Sequence, residues 1–202
     1  MIILRYILIS VILVKSVVLQ AQELIKSQIY VQTCIDKTQC FSVIKNAYLF
    51  YDENREELFL RVDFKKVKEE KDSLYYWLDD LSSSNFLFKT KVLKSQLPAI
   101  NSAHIKVLRL TGLMYFNSIL LNTNVEISIL AAAENSFPQV TNNQNNYSLY
   151  SFSFGISFLP KEFKIHNKPN HLKKTISIGV SGAKVNLLLP GMQHLVEDIY
   201  SK

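Results

Sequence analysis

Alternation of apolar and polar side chains is the feature of this sequence that most restricts its fold. The period is two in several segments, which is typical of β-strands with one buried face and one wet face. Between Glu57 and Lys65, four apolar residues share one face and charged residues lie on the other. Segments 84–93, 119–129 and 147–158 repeat the pattern. The sequence therefore predicts an all-β protein.

Turns and loops divide the chain between the predicted strands. Asp52-Glu53-Asn54-Arg55 separates strand 41–51 from the next strand, and Asn117-Ser118 fits a short hairpin turn after strand 105–116. The last predicted strand is 175–189. Two glycines predict a bulge within it, and two polar segments predict surface loops. These features are Gly179 and Gly182, the loop 134–146 with its run of asparagines, and the basic loop 160–174 with His166 and His171.

Helical patterns are few. Asp72 to Leu81 places apolar residues at helical spacing behind a capping residue, and segment 190–200 fits one further short helix. Seven or eight strands with one or two short helices form either an up-and-down barrel or a sandwich. The length of the later strands favours the barrel. We predict a single antiparallel eight-stranded lipocalin-like barrel.

The N-terminus predicts export. Residues 1–21 combine an early positive charge at Arg5, a long apolar run and the small residue Ala21, which is the layout of a secretory signal peptide. The predicted mature domain is 22–202, and its predicted location is periplasmic or secreted. An uncleaved membrane anchor is the alternative interpretation of the same segment.

The two cysteines of the chain, Cys34 and Cys40, are separated by five residues with a polar centre. A hairpin at this point would bring their Cα atoms within reach of a disulfide. Disulfides persist in oxidising compartments, so the predicted export favours one here. A metal site needs more ligands than these two side chains supply.

Charge and motif content argue against several functions. The net charge of +6 falls by two when Arg5 and Lys15 leave with residues 1–21, and the remaining basic residues are mixed with acidic ones. This distribution predicts a solvated surface and no nucleic-acid partner. The four histidines lack metal-ligand spacing, and neither a nucleophile elbow nor a phosphate loop is present. We predict no enzyme activity, no metal and no cofactor.

The inward face of such a barrel would be rich in phenylalanine and aliphatic residues, which suits an apolar ligand. An eight-stranded barrel can hold one small ligand or fill its interior with its own side chains. Both states are compatible with the pattern. Alternation assigns the following residues to the lumen as candidate ligand contacts: Phe86, Phe88, Val125, Ile127, Phe152, Phe154 and Ile156.

The order of local patterns resembles the YceI-like family of exported barrels over residues 40–170. The resemblance lies in Val62-Asp63-Phe64, Asn85 to Val92, Leu110 to Tyr115, Val125-Glu126-Ile127 and Leu159 to Ile165. It implies an eight-stranded antiparallel barrel whose lumen holds a long isoprenoid or similar lipid chain. It implies no chemistry on that chain.

The predicted function is therefore that of an exported, non-catalytic protein that holds an isoprenoid or similar apolar chain in a barrel lumen. Its basic loop 160–174 would lie at the rim, where contact with a membrane surface is a further hypothesis. The alternative is a structural or protein-interaction β domain of the cell envelope with a filled core. Such a domain would bind partners through a loop or an exposed strand edge.

Overall fold

The computed structural model of the protein describes residues 29–34, 41–44, 47–65, 81, 83–100, 104–131, 147–165, 172–188 and 191–197. Short 3-10 turns occur at Lys94–Gln96, Pro160–Phe163 and Gln193–Leu195. The strands are β1 (Ile29–Cys34), β2 (Phe41–Ile44), β3 (Ala47–Asp52), β4 (Glu57–Asp63), β5 (Asn85–Lys91), β6 (Lys106–Phe116), β7 (Ile119–Ala131), β8 (Tyr147–Phe158) and β9 (Leu172–Leu187).

These nine strands occupy eight positions around the barrel. β2 and β3 are consecutive in the chain and together fill one of these positions, between β1 and β4. β2 pairs with β1, whereas β3 pairs with β4 on one side and with the end of β9 on the other. From β3 to β8, each strand pairs antiparallel with the next. Pairing of β9 with both β1 and β8 brings the two ends of the sheet together. The predicted all-β, eight-stranded barrel is confirmed.

The long last strand bends at a bulge. Opposite β8, Phe152 pairs with Ala183 and Phe154 pairs with Val180, so two residues of β9 face one residue of β8. Gly182 lies in this bulge with a φ of 55°, and its backbone N–H donates to Ser153 Oγ over 2.8 Å. The bulge predicted in this strand is confirmed at Gly182, whereas Gly179 lies in regular pairing.

Inward side chains fill one continuous apolar core. Every second residue of β4 and β5 points inward, as the alternation predicted, and residues such as Leu58, Leu60, Phe86 and Phe88 are fully buried. The opposite faces of these strands should be wet if only one face packs. In this protein, part of the outer face is also covered.

A second apolar cluster covers the outside of the wall across β3 to β6. Phe50, Phe59, Leu87 and Tyr115 point outward and pack against the described C-terminal residues, 188 and 191–197, which we call the C-terminal strap. The backbone N–H of Leu188 donates to Tyr51 O over 2.9 Å at its start, and Arg61 Nη1 donates to Leu195 O over 3.2 Å near its end. The predicted C-terminal helix is only a 3-10 turn among the described residues.

Gly112 lies where a ring crosses the backbone. A Cβ atom at this position would lie 2.3 Å from Phe88 Cε2 and 2.8 Å from Lys89 O, which is closer than van der Waals contact allows. Phe88 is fully buried, so its ring has little freedom to move away. We expect Gly112→Ala to lower the free energy of unfolding by about 1–3 kcal/mol, because overpacking forces a shift of side chain or backbone.

Urea unfolding followed by circular dichroism measures this change, and Gly155→Ala is the matched control. A Cβ atom on Gly155 meets nothing within 4 Å. The control should therefore leave the unfolding midpoint nearly unchanged. Equal midpoints for the two variants would contradict the assigned packing of Phe88 on Gly112.

Other sequence predictions have mixed outcomes. The short turn at Asn117-Ser118 is confirmed, and both residues have positive φ. β6, β7, β8 and β9 begin and end within three residues of their predicted bounds. The predicted helix Asp72 to Leu81, the asparagine-rich loop and residues 166–171 of the basic loop lie almost wholly outside the described residues. The signal peptide 1–21 also lies outside them.

The hairpin that would join Cys34 and Cys40 is formed by β1 and β2, in which Gln32 pairs with Phe41. Cys34 is the last residue of β1. Cys40 lies outside the described residues, so the disulfide stays a prediction.

Candidate functional site

The seven residues predicted to line the lumen lie together inside the barrel. Each is at most 7% exposed, and all belong to one apolar cluster. They come from three strands, and neighbouring strands bring them into register, as in the pairing of Ile127 with Phe154 and of Ile129 with Phe152. Their place in the lumen follows from the alternation. Their contact with a ligand stays a prediction.

Five phenylalanines pack together at one end of this lumen, and we call them the aromatic plug. Ring centroids lie 5.1 Å apart for Phe158 and Phe163 and 5.2 Å apart for Phe64 and Phe116. Most of the ring pairs are tilted or edge-to-face, which is the preferred geometry of aromatic contacts. The members are Phe64, Phe86, Phe116, Phe158 and Phe163, and each is at most 2% exposed.

The other end of the lumen carries polar groups that bind the backbone. Tyr51 is 2% exposed, and its hydroxyl donates to Val92 O over 2.8 Å. Thr90 Oγ1 donates to Thr111 O over 3.0 Å, beyond the last β5–β6 pair. These bonds satisfy side chains that would be costly to bury unpaired. They also tie the loop after β5 to the barrel.

Burial raises the pKa of Tyr51 to about 12, and nearby Glu56 and Glu53 add to the effect. Since the unfolded chain titrates tyrosine near 10, the unfolded state loses this proton first as the pH rises. The contribution of Tyr51 to stability should be complete below pH 10 and should be lost between pH 10 and about 12. Ultraviolet titration at 295 nm should resolve a late tyrosine that is missing from Tyr51→Phe. A wild-type curve identical to that of the variant would contradict this assignment.

The barrel wall is broken between β7 and β8. Their ladder runs from Ile127–Phe154 to Ala131–Tyr150 and stops there. Along residues 119–126, β7 pairs only with β6 among the described strands, while residues 155–158 of β8 pair only with β9. We call this opening the lateral break. The turn at the tip of the β6–β7 hairpin is nonetheless attached, because Asn117 Nδ2 donates to Phe163 O over 2.8 Å.

Several inward side chains of the β6–β7 hairpin are incompletely buried. Inward residues of β4 and β5 are completely covered, but those of the β6–β7 hairpin are only partly covered at several positions. These half-buried residues pack against the edge of the main core. They are Leu108, Leu110, Ile119 and Leu121, with Thr123 as the polar member of the same face.

The hairpin has a shallow hollow of about 370 Å³, lined by residues 109–111 of β6 and 124–126 of β7. Exposed side chains surround it, among them the pair Arg109 and Glu126, whose Nε and Oε2 atoms are 3.0 Å apart. An ion pair this exposed contributes little to stability. No group of three or more histidine, cysteine, aspartate or glutamate side chains converges in the described part of the chain. In that same part, no helix is long and apolar enough to cross a membrane.

Comparison with known proteins gives matches of structure only. No protein-family model matches the chain, and no curated protein sequence matches it. One similar solved structure is a polyisoprenoid binding domain from Saccharophagus degradans implicated in plant cell wall breakdown. It has a TM-score of 0.51 and 6% identity, covering 79% of this chain and 94% of that one. Another is BcnA of Burkholderia cenocepacia, with a TM-score of 0.46 and 10% identity, covering 76% and 92%.

Identities this low carry information about the fold alone. The Saccharophagus domain is matched over nearly its whole length, so the likeness extends around the barrel. The motifs that suggested the family lie within β4 to β8 and the 3-10 turn that follows. The chain has the lipocalin-like barrel fold of that domain, and its resemblance to the YceI-like family is confirmed at the level of the fold.

Proposed function

We propose that this protein is exported and binds the apolar chain of an isoprenoid or similar lipid, without chemical change to that chain. The observation that carries the proposal is the inner face of the β6–β7 hairpin. Four of its aliphatic side chains are only half-buried and adjoin a lumen wall that is otherwise apolar. Water in contact with such a face is displaced favourably by a hydrocarbon chain.

The energetics favour a long ligand. Burying a CH₂ group contributes about 0.8 kcal/mol, so affinity grows with chain length even without polar contacts. The hydroxyl groups of Tyr51 and Thr90 already donate hydrogen bonds to backbone carbonyl groups, so they offer little to the headgroup of a lipid. The binding energy would therefore come from the hydrocarbon portion of the lipid.

One similar structure supports this proposal. The domain from Saccharophagus degradans shares the barrel and is described as polyisoprenoid binding. A closed apolar barrel is a suitable container for a chain that water excludes. The proposed role requires no catalytic residues.

Close packing of the rings supports a second candidate function. Several phenylalanine centroids lie between 5.1 and 6.0 Å apart, as expected for a core filled by its own side chains. A filled barrel would act as a structural or interaction domain of the cell envelope. For a lipid to bind, the chain must lie along the half-buried hairpin face, or some rings must change rotamer.

Native mass spectrometry of the mature protein from its own host, followed by organic extraction, tests the proposal. We expect one apolar molecule per chain. Leu110→Asp, on the half-buried inner face, should reduce occupancy by about tenfold or more, because it places a charge where the chain would lie. Leu130→Asp is the matched control, since Leu130 lies on the same hairpin, points outward and is 38% exposed.

An apo mass with no uptake of added isoprenoid lipid would favour the filled interaction domain. The same spectra test export and the disulfide. Cleavage of the proposed signal peptide leaves a chain that begins at Gln22. A bond between Cys34 and Cys40 lowers the mass by two hydrogen atoms and disappears after reduction.

A further inference from the structure

The lateral break between β7 and β8 is a part of the described wall in which no ladder joins two neighbouring strands. We propose that an apolar chain reaches the lumen sideways through this break, between β7 residues 119–126 and β8 residues 155–158. This inference rests on the proposed function, because it concerns the route of the same ligand. It adds the position in the barrel wall at which the ligand enters and the direction from which it enters.

The first argument is the backbone itself. The tight turn at Asn117-Ser118 makes Phe116 and Ile119 the closing hydrogen-bonded pair of the hairpin. Hydrogen-bonded pairs then alternate along β6 and β7. The alternate residues Leu120, Asn122, Asn124 and Glu126 consequently direct their N–H and C=O groups away from β6, toward the break. Gly155 and Ser157 of β8 do the same from the other side by continuation of the β7–β8 pairing.

The second argument is the side chains that line the opening. Where neighbouring strands of a barrel are fully paired, the wall would shield the inward side chains from water. Here Ile119, Leu121 and Thr123 of β7 point inward yet stay half-buried, whereas the inward residues of β8, Ile156 and Phe158, are buried. Gly155 faces outward on β8, and no atom lies within 4 Å of its missing Cβ. A chain in the break would thus meet the half-buried aliphatic groups of β7 at once, and Gly155 adds no side chain to the outer rim of the break.

The third argument is the closed state of one end of the barrel. The aromatic plug is at most 2% exposed and packs under the 3-10 turn Pro160–Phe163. Passage through that end would require several rings to move together, whereas a chain in the break would meet only Phe158, the member of the plug that lies on β8. Parting β7 and β8 requires no ladder bond to break over residues 119–126, because none joins them to β8 among the described residues.

Stopped-flow fluorescence with cis-parinaric acid, a polyene fatty acid that fluoresces in apolar surroundings, measures the rate of uptake. Thr123→Trp places a large ring in the break and should slow association by about tenfold, with a smaller change in equilibrium affinity. Leu130→Trp, outward on the same strand, should associate at the wild-type rate. Equal rates for both variants would overturn the lateral route.

Photolabelling of the unmodified protein gives a second test that does not depend on a variant folding. The protein is mixed briefly with a fatty acid that carries a diazirine on its chain, and the mixture is irradiated. The residues that carry adducts are then mapped by mass spectrometry. Adducts that appear first at 119–126 and 155–158, and later deeper in the lumen, are expected. First adducts at either end of the barrel would overturn the route, whereas no adduct and no fluorescence in the wild type would overturn the proposed function.

Discussion

Replacing Phe116 by alanine should lower the free energy of unfolding by about 3–5 kcal/mol, the range found for large aromatic residues deleted from a core. Phe116 is fully buried at the end of β6 and lies at the centre of the aromatic plug. Its ring centroid lies 5.2 Å from that of Phe64, 5.8 Å from Phe163, 5.9 Å from Phe86 and 6.0 Å from Phe158. The loss therefore combines hydrophobic transfer, a cavity and four ring contacts.

Chemical unfolding with paired variants separates these effects. Phe116→Leu keeps much of the volume and should cost only about 1–1.5 kcal/mol. Leu120→Ala, four residues further along the same hairpin and 37% exposed, should change stability by less than about 0.5 kcal/mol. If alanine and leucine at position 116 were equally stable, the plug would not be packed as described.

Alternation predicted the barrel because side chains in a strand point to opposite faces, so a one-sided core leaves a period of two in the sequence. In β5 the inward residues Phe86, Phe88 and Thr90 are buried, and Lys89 and Lys91 on the other face are more exposed. Leu87 on that outer face is buried only because the outer cluster covers it. The hairpin turn was predictable for a related reason. Asn117 and Ser118 are two polar residues between apolar runs, and asparagine tolerates positive φ.

Features that join distant segments could not be predicted in this way. The lateral break depends on where the β7–β8 ladder stops, and the alternation of both strands continues unchanged through that point. The division of the predicted strand 41–51 into β2 and β3 also leaves no trace in the period of two. The sequence contains one local indication of the outer cluster. Phe50, Phe59 and Leu87 are apolar but lie on strand faces that the alternation assigns to solvent. Apolar residues at such positions indicate a second covering element.

That covering element, the C-terminal strap, should be essential for stability, and Val196→Asp tests it. Val196 is fully buried against the outer wall. A carboxylate there has either to ionise in an apolar site or to pull the strap into water, which uncovers Phe50, Phe59 and Tyr115. We expect the free energy of unfolding to fall by about 3 kcal/mol. Binding of the dye ANS should rise, because an apolar outer face becomes accessible.

The matched control is Val107→Asp, the same chemical change at a valine that is 52% exposed on β6. It should alter stability by no more than about 0.5 kcal/mol and leave ANS fluorescence unchanged. Both variants remain one charge more acidic than the wild type, so a difference between them reports burial and not net charge. Equal unfolding midpoints would mean that the strap leaves the wall without cost. In that case the barrel would be stabilised by its lumen alone, and the outer cluster would be free to bind another surface.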